Sequence, residues 1–399
     1  MVRIKISKTL EKKIRLGYPW VFRYQVQSEK TGGKSNELGV IYDSKNQFLA
    51  MGLYDSNSDI RLRILQTLKP VNIDGNFFEE RLNKAMILRS SLLAEGTTGY
   101  RVINGENDGF PGLVLDLYGK TIVLKLYTIA WASYLDVLVT LFKKKLSVER
   151  CVLRWSRKVA ESKKVSKKYG EGYLLFGEKV KGPVCFKENG INFEADVTSG
   201  QKTGFFLDQR NNRQTIRSMS KGKSVLNVFS YTGAFSAYAF AGGAVSVLEI
   251  DSNSRALMAS RKNLRLHFQN RNFPTKEFSQ IKADGFEALS ELDLNNQKYD
   301  LVILDPPAFA KRKNQKNTAL NAYMKLARAG AKVTKKGGIL FAASCSVHVT
   351  KSSFFESVFL GIRSAGCGFE EISRTGHAKD HPFTFEEGEY LKGIFCEVV

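Results

Sequence analysis

Asp305-Pro306-Pro307-Ala308-Phe309 follows the apolar run Leu301-Val302-Ile303-Leu304, and Ser344-Cys345-Ser346 follows Ile339-Leu340-Phe341-Ala342-Ala343. Short apolar runs bounded by turn-forming residues predict strands buried on both faces, the pattern of a parallel sheet. In open α/β sheets, ligands bind beyond the carboxyl ends of the strands. The two motifs therefore bring a carboxylate, a rigid Pro-Pro turn, an aromatic ring and a thiol to one crevice. Such a set can hold a flat heteroaromatic ring and attack one of its carbons.

Around these motifs, from about Gly190 onward, strand and helix patterns alternate: strands at 225–229, 245–250, 301–304 and 339–343, helices at 254–269 and 320–333. That order predicts a parallel sheet with helices on both faces. The chain closes on a terminal antiparallel hairpin, 369–373 with 391–398.

Upstream the texture differs. Glycine-punctuated β-rich runs at 17–22, 38–42, 48–54 and 60–65 predict a small barrel that ends at Lys69-Pro70. Apolar residues at helical spacing (Phe78, Leu82, Ala85, Met86, Leu92, Leu93) predict an amphipathic helix over 77–93. A turn-rich segment, 105–112, leads to strands 113–118 and 121–127, a hairpin joined at Gly119-Lys120. A helix at 130–145, a strand at 151–155 and a lysine-rich surface loop at 157–171 follow. The expected division is 1–70, 71–189 and 190–399.

A chain of 399 residues with 43% hydrophobic residues has ample material for several cores. Its 61 Lys and Arg against 39 Asp and Glu give a formal charge of +22, which points to a polyanionic partner, nucleic acid. Basic residues also cluster at 143–145, 154–168 and 311–316. The start, Met1-Val2-Arg3-Ile4-Lys5-Ile6, is charged, and no apolar run approaches the roughly 20 residues of a membrane helix. The expectation is a cytoplasmic protein with no membrane partner. Cys151, Cys185, Cys345, Cys367 and Cys396 form no Cys-x-x-Cys pair and no metal-like cluster with the four histidines, so neither disulfides nor metal are expected.

The first strand of the sheet runs into Ser230-Tyr231-Thr232-Gly233-Ala234-Phe235-Ser236, and Asp251 ends the second strand 18 residues after Gly233. A loop over a helix N-terminus with an acid for ribose hydroxyls binds a nucleotide-like cofactor. A dinucleotide needs three glycines for backbone to approach its pyrophosphate. With one glycine, the loop fits S-adenosylmethionine, which has no phosphate. Asp284, after a third strand, can accept the adenine amine or simply cap a helix; Glu249 is the alternative ribose ligand.

Asp305 can pair with the polar edge of a base, with Pro306 and Pro307 shaping the turn and Phe309 stacking on the ring. Cys345 decides the reaction type. A nitrogen carries its own lone pair, whereas carbon 5 of a pyrimidine becomes reactive only after a thiolate adds at carbon 6. The residues thus imply S-adenosylmethionine-dependent methyl transfer to a nucleobase.

These motifs resemble the bacterial large-subunit ribosomal RNA cytosine-C5 methyltransferase I family over nearly the whole chain. Gly17-Tyr18-Pro19-Trp20-Val21-Phe22 resembles its PUA opening, and 105–118 its central-domain signature. Gly200-Gln201-Lys202-Thr203-Gly204-Phe205-Phe206-Leu207-Asp208-Gln209-Arg210, the most specific match, resembles the family's lead-in to the catalytic domain. Segments 227–235, 305–309 and 344–346, Asp380-His381-Pro382 and 387–393 complete the likeness.

The resemblance implies a class I (Rossmann-like) α/β methyltransferase domain, an N-terminal PUA-like β-barrel and a small α+β central domain, acting on ribosomal RNA. It implies Cys345 as nucleophile, Asp305 as stabiliser of the ring through nitrogen 3, and cofactor roles for Lys202, Phe206, Asp208 and Arg210. Asn227, Phe229, Tyr231, Thr232, Gly233, Asp251, Asp284 and Asp305 complete the expected cofactor site. One departure stands out: no cysteine follows Asp305-Pro306, so the second thiol used for product release in better-known cytosine methyltransferases is missing. His348 is the nearest histidine in sequence to Cys345. The rival readings are a uracil-C5 enzyme, a purine-nitrogen enzyme with a structural Cys345, and a non-catalytic RNA-binding or ribosome-assembly factor.

Overall fold

The computed structural model describes residues 1–29, 37–161, 169–268, 277–310 and 312–399. The chain forms two compact units: one of residues 1–187, 194–207 and 379–388, the other of 188–193, 208–378 and 389–399.

In the first unit the N-terminal β-rich runs form a six-stranded sheet that includes Leu38–Tyr42, Phe48–Tyr54 and Ile60–Thr67. Several elements were not expected from the sequence, two of them at the N-terminus. Val2–Ile6 is a strand, parallel to Leu38–Tyr42, and Lys8–Arg15 is a helix capped by Ser7. In Val2–Ile6, buried Val2, Ile4 and Ile6 alternate with exposed Arg3 and Lys5, a half-buried strand whose charges mark only its outer face.

A second sheet of the same unit, five strands, contains the hairpin Leu113–Tyr118 and Thr121–Leu126. Gly119 takes φ +59 at its turn. The helix expected over 77–93 divides into Gly75–Leu88 and a short Ser91–Ala94, with Leu93 exposed. Arg89 breaks it: its buried guanidinium donates to Asp108 and to the Arg101 carbonyl. The helix expected over 130–145 begins as a 3-10 segment, Ile129–Tyr134, before Leu135–Lys145. Of the loop 157–171, Arg157–Ala160 is a helical turn, and 162–168 lie outside the described residues.

The basic clusters are partly neutralised. Lys144 and Lys145 reach Glu79 at 3.0 and 2.6 Å, and Arg154 is buried, donating to Glu171 and the Gly200 carbonyl. Lys311 lies outside the described residues.

The second unit is built on seven strands: β1 (Ser224–Val228), β2 (Ser246–Ile250), β3 (Phe278–Ile281), β4 (Tyr299–Leu304), β5 (Thr334–Ser344), β6 (Phe369–Thr375) and β7 (Lys392–Val398). Their order is β3-β2-β1-β4-β5-β7-β6. The first five are parallel, and β7 enters antiparallel between β5 and β6. Leu226, Val228, Ile250, Val302, Leu304 and Leu340 are buried with Leu289, Leu326 and Phe354 of the flanking helices, and Val225, Leu301, Ile303 and Phe341 between them in sequence are buried too, so both faces are covered and the apolar runs are unbroken.

Register sets the site. Val228 pairs with both Ile250 and Leu304, and Leu304 with Ala342, so the carboxyl ends of β1, β2, β4 and β5 finish side by side.

The helix Arg210–Met219 is fixed to this unit by a buried ion pair. Arg213 donates twice to Glu188 at 2.7 Å, and Tyr238 adds a third hydrogen bond to the same carboxylate at 2.9 Å. Glu188→Gln leaves the Arg213 charge uncompensated in the interior and should cost roughly 3–5 kcal/mol. Urea unfolding should report this as a lower midpoint at unchanged slope.

Candidate active site

The loop after β1 carries backbone strain. Phe229 has φ +62 and Tyr231 φ +48, a region that non-glycine residues rarely adopt, and Gly233 follows at φ +74. Only glycine fits at 233, because a Cβ there would come within 1.9 Å of Ser260 Oγ and 2.7 Å of Glu249 Oε1. The turn swings the chain over the N-terminus of Ala234–Ala241, and the Tyr231 amide donates to Asp251 Oδ2 at 2.8 Å. Asn253 N binds the other oxygen of Asp251, also at 2.8 Å. Asp251 is thereby rigidly aimed while its remaining lone pairs stay on the half-buried edge of the sheet.

Glu249 has a different fate. It is fully buried and accepts hydrogen bonds from Ser260 and Gln280, and burial raises its carboxyl above the usual range. The strand pattern puts residues 249 and 251 on one face, but β2 ends at Ile250, so Asp251 belongs to the loop. Asp284 caps Gly285–Leu294 through one oxygen, accepting from Phe286 N and Glu287 N, and is exposed. The Phe229 ring lies where a side chain on Gly285 would stand, which brings the loop after β1 against the start of that helix.

The same edge fits S-adenosylmethionine. Among the described residues, Asn227 Oδ1, Ser230 Oγ and Thr232 Oγ1 are buried without a hydrogen-bond partner, and all three belong to the end of β1 and its loop. Asn227 Nδ2 is held by Ser236 Oγ at 2.9 Å, which points the amide. Buried polar atoms normally find partners, so these three leave the end of β1 open to a polar ligand.

Asp305 stands one residue past β4. Gln209 donates to its Oδ1 at 2.9 Å and is itself oriented by Asn212 at 2.5 Å. Gln209 and Asn212 are buried. Neither was singled out in the sequence: Gln209 falls within the family-like segment 200–210 without a role of its own, and Asn212 follows it at the start of the helix Arg210–Met219. Pro306 is buried, Pro307 exposed, and the Phe309 ring leans on Tyr323 at 4.8 Å and Phe286 at 6.2 Å.

Cys345 follows β5 directly and is half-buried. It lies between two serines bound to one phenol: Ser344 Oγ donates to Tyr323 Oη at 2.8 Å, and Ser346 Oγ lies 2.9 Å from it. His348 is exposed. Cys151 and Cys396 are core residues whose thiols burial pushes up to about 12.

Of the residues implied only by resemblance, Asp208 and Arg210 are buried in the second unit, and Asp208 Oδ2 accepts from Tyr390 at 2.7 Å. Lys202 and Phe206 belong to the first unit, where the Lys202 ammonium sits 4.5 Å above the Phe206 ring. Lys202 also has φ +53.

A family model described as S-adenosylmethionine-dependent methyltransferase matches residues 171–358, and one described as PUA-like domain matches residues 4–67. Fold and site thus define an S-adenosylmethionine-dependent methyltransferase of α/β architecture with an N-terminal PUA-like domain. The Ribosomal RNA large subunit methyltransferase of Deinococcus radiodurans is 41% identical over 402 residues, covering 100% of this chain and 97% of its own. Ribosomal RNA large subunit methyltransferase I of Alteromonas mediterranea is 34% identical over 399 residues, 99% and 98% of the two chains. The solved structure of SMU.776 complexed with SAH superposes with a TM-score of 0.84 over 100% of both chains at 23% identity, a likeness of fold. The chain belongs to the family of ribosomal RNA large subunit methyltransferases.

Gly233→Ala combines a left-handed backbone with a clash against Ser260 and Glu249. It should lower stability by about 1–3 kcal/mol, and isothermal calorimetry should show weaker S-adenosylmethionine binding, because the loop must move.

Proposed function

We propose that this protein methylates carbon 5 of a cytosine in large-subunit ribosomal RNA through a covalent cysteine–cytosine intermediate. The observation that carries the reading is the position of Cys345, one strand over from Asp305 at the carboxyl edge of the parallel sheet. The names of the relatives support the RNA class, and the +22 charge and the PUA-like match at 4–67 agree with it. In this reading residues 1–70 hold RNA, 71–189 form the central domain and 190–399 carry out the chemistry.

When bound, S-adenosylmethionine supplies an electrophilic methyl group. Asn227, Phe229, Tyr231, Thr232, Gly233 and Asp251 hold it at the end of β1 and β2, with Asp284 toward the adenine. Asp305 borders both cofactor and base, and Lys202, Phe206, Asp208 and Arg210 join by family resemblance. The base lies against Pro306, Pro307 and Phe309, with Asp305 on its nitrogen-3 edge, held there by Gln209. The Cys345 thiolate adds to carbon 6, the displaced electron pair makes carbon 5 nucleophilic, and carbon 5 takes the methyl group. Loss of the carbon-5 proton and expulsion of the thiolate restore the aromatic ring.

Asp251→Ala removes an acceptor for ribose hydroxyls, and hydrogen bonds to a charged group are worth roughly 1.5–3 kcal/mol. S-adenosylmethionine affinity should fall about ten- to a hundred-fold by calorimetry, and an unchanged affinity would remove Asp251 from the site. Fluorine at carbon 5 cannot leave as a proton, so ribosomal RNA containing 5-fluorocytosine should form a denaturation-resistant adduct with the protein. Cys345→Ala should lose both adduct and methylation while binding S-adenosylmethionine normally. Full methylation by Cys345→Ala would transfer the assignment to a nitrogen-directed reaction.

A further inference from the structure

Lys392 opens β7 and is paired across the sheet with Ser344, the residue before Cys345. It is 1% exposed, although lysine is almost never fully buried without partners. Its ammonium donates to the Ser346 carbonyl at 2.6 Å and the Val349 carbonyl at 2.7 Å, the two ends of the turn that follows Cys345. Neither acceptor is a carboxylate, so the cation is solvated by backbone dipoles and keeps its field for its surroundings.

We propose that Lys392 is a positioning residue for the Cys345 nucleophile, clamping the turn from Ser346 to Val349 and supplying the positive charge that favours the thiolate. The inference rests on Cys345 as the attacking group and adds what activates it. A neighbouring cation lowers a thiol from about 8.5 toward the neutral range, and a thiolate in turn keeps the lysine charged.

Burial draws Lys392 down to about 8, and the charges of Cys345 and Glu389 act in the opposite direction. The other groups facing the pair are Tyr323, whose hydroxyl burial raises, and Lys351, which is paired with Glu389. Because thiol and ammonium are coupled, their apparent titrations belong to the pair. The activation is present below the titration of Lys392 and fades as pH rises through it.

The test is alkylation of the full chain by iodoacetamide between pH 6 and 10, with Cys345 modification followed by peptide mass spectrometry and exposed Cys185 as internal control. Lys392→Met should slow Cys345 alkylation about ten-fold at pH 7, the equivalent of one pKa unit, with rates converging near pH 10. Lys392→Arg should keep most of the rate, and Cys185 should be unaffected in every variant. Should the methionine variant not fold, Lys392→Gln, a neutral donor to the same carbonyls, carries the measurement. Superimposable pH profiles for the neutral variant and the parent would overturn the proposal. A normal alkylation profile shift with no 5-fluorocytosine adduct would instead sink the cytosine-C5 reading and leave the Lys392–Cys345 pair standing.

Discussion

The hydrogen-bonded register of the parallel strands is the constraint on which the site depends. With Val228 paired to both Ile250 and Leu304, and Leu304 to Ala342, four strands must release their chains at one level. Phe229, Asp251, Asp305 and Cys345 come from segments far apart in sequence, yet each is the first or second residue past a strand or just beyond it. A one-residue slip in any pairing would turn its side chains to the opposite face. The buried apolar faces of β1, β4 and β5 make such a slip expensive, so the core fixes the chemistry's geometry without contributing a reacting atom.

Polar groups inside this frame divide into those that hold the protein and those that await a ligand. Glu188, Arg213 and Tyr238 satisfy one another, as do Glu249, Ser260 and Gln280. Asn227, Ser230 and Thr232 keep buried oxygens without partners among the described residues, in a loop with two strained φ angles. Strain and unsatisfied polarity cost stability, and they concentrate where the first strand meets its helix. Asp305 lies between the two regimes: one oxygen is held by Gln209, which fixes the direction of the carboxylate at the end of β4.

Much of the architecture was legible in the chain. The parallel strands stood out because burial on both faces demands continuous Val, Ile and Leu, and the hairpin of Leu113–Tyr118 with Thr121–Leu126 stood out because Gly119 suits its positive φ. Val2–Ile6 did not: its alternation is short, and its outward Arg3 and Lys5 marked only a charged start. The break at Arg89 was hidden as well, since a helical spacing of apolar residues runs through it, and what Arg89 meets there, Asp108 and the Arg101 carbonyl among others, leaves no mark in that spacing.

By itself the sequence determined the order of strands and helices, the glycine at 233, and a carboxylate at 305 and a thiol at 345 directly after strands, because strand pattern and turn geometry leave local marks. Only the tertiary structure decided which polar residues surround them. Gln209 has no role that its local sequence assigns and becomes the partner of Asp305 only where the turn Leu207–Gln209 meets the end of β4. Glu249 and Asp251 share a strand-like spacing, and the end of β2 separates a buried structural acid from one on the open edge. Lys392 falls inside the expected strand 391–398, where nothing in the local sequence says what its ammonium meets. The antiparallel insertion of β7 beside β5 carries it under the Cys345 turn, since long-range pairing, which leaves no local mark in sequence, sets what a side chain faces.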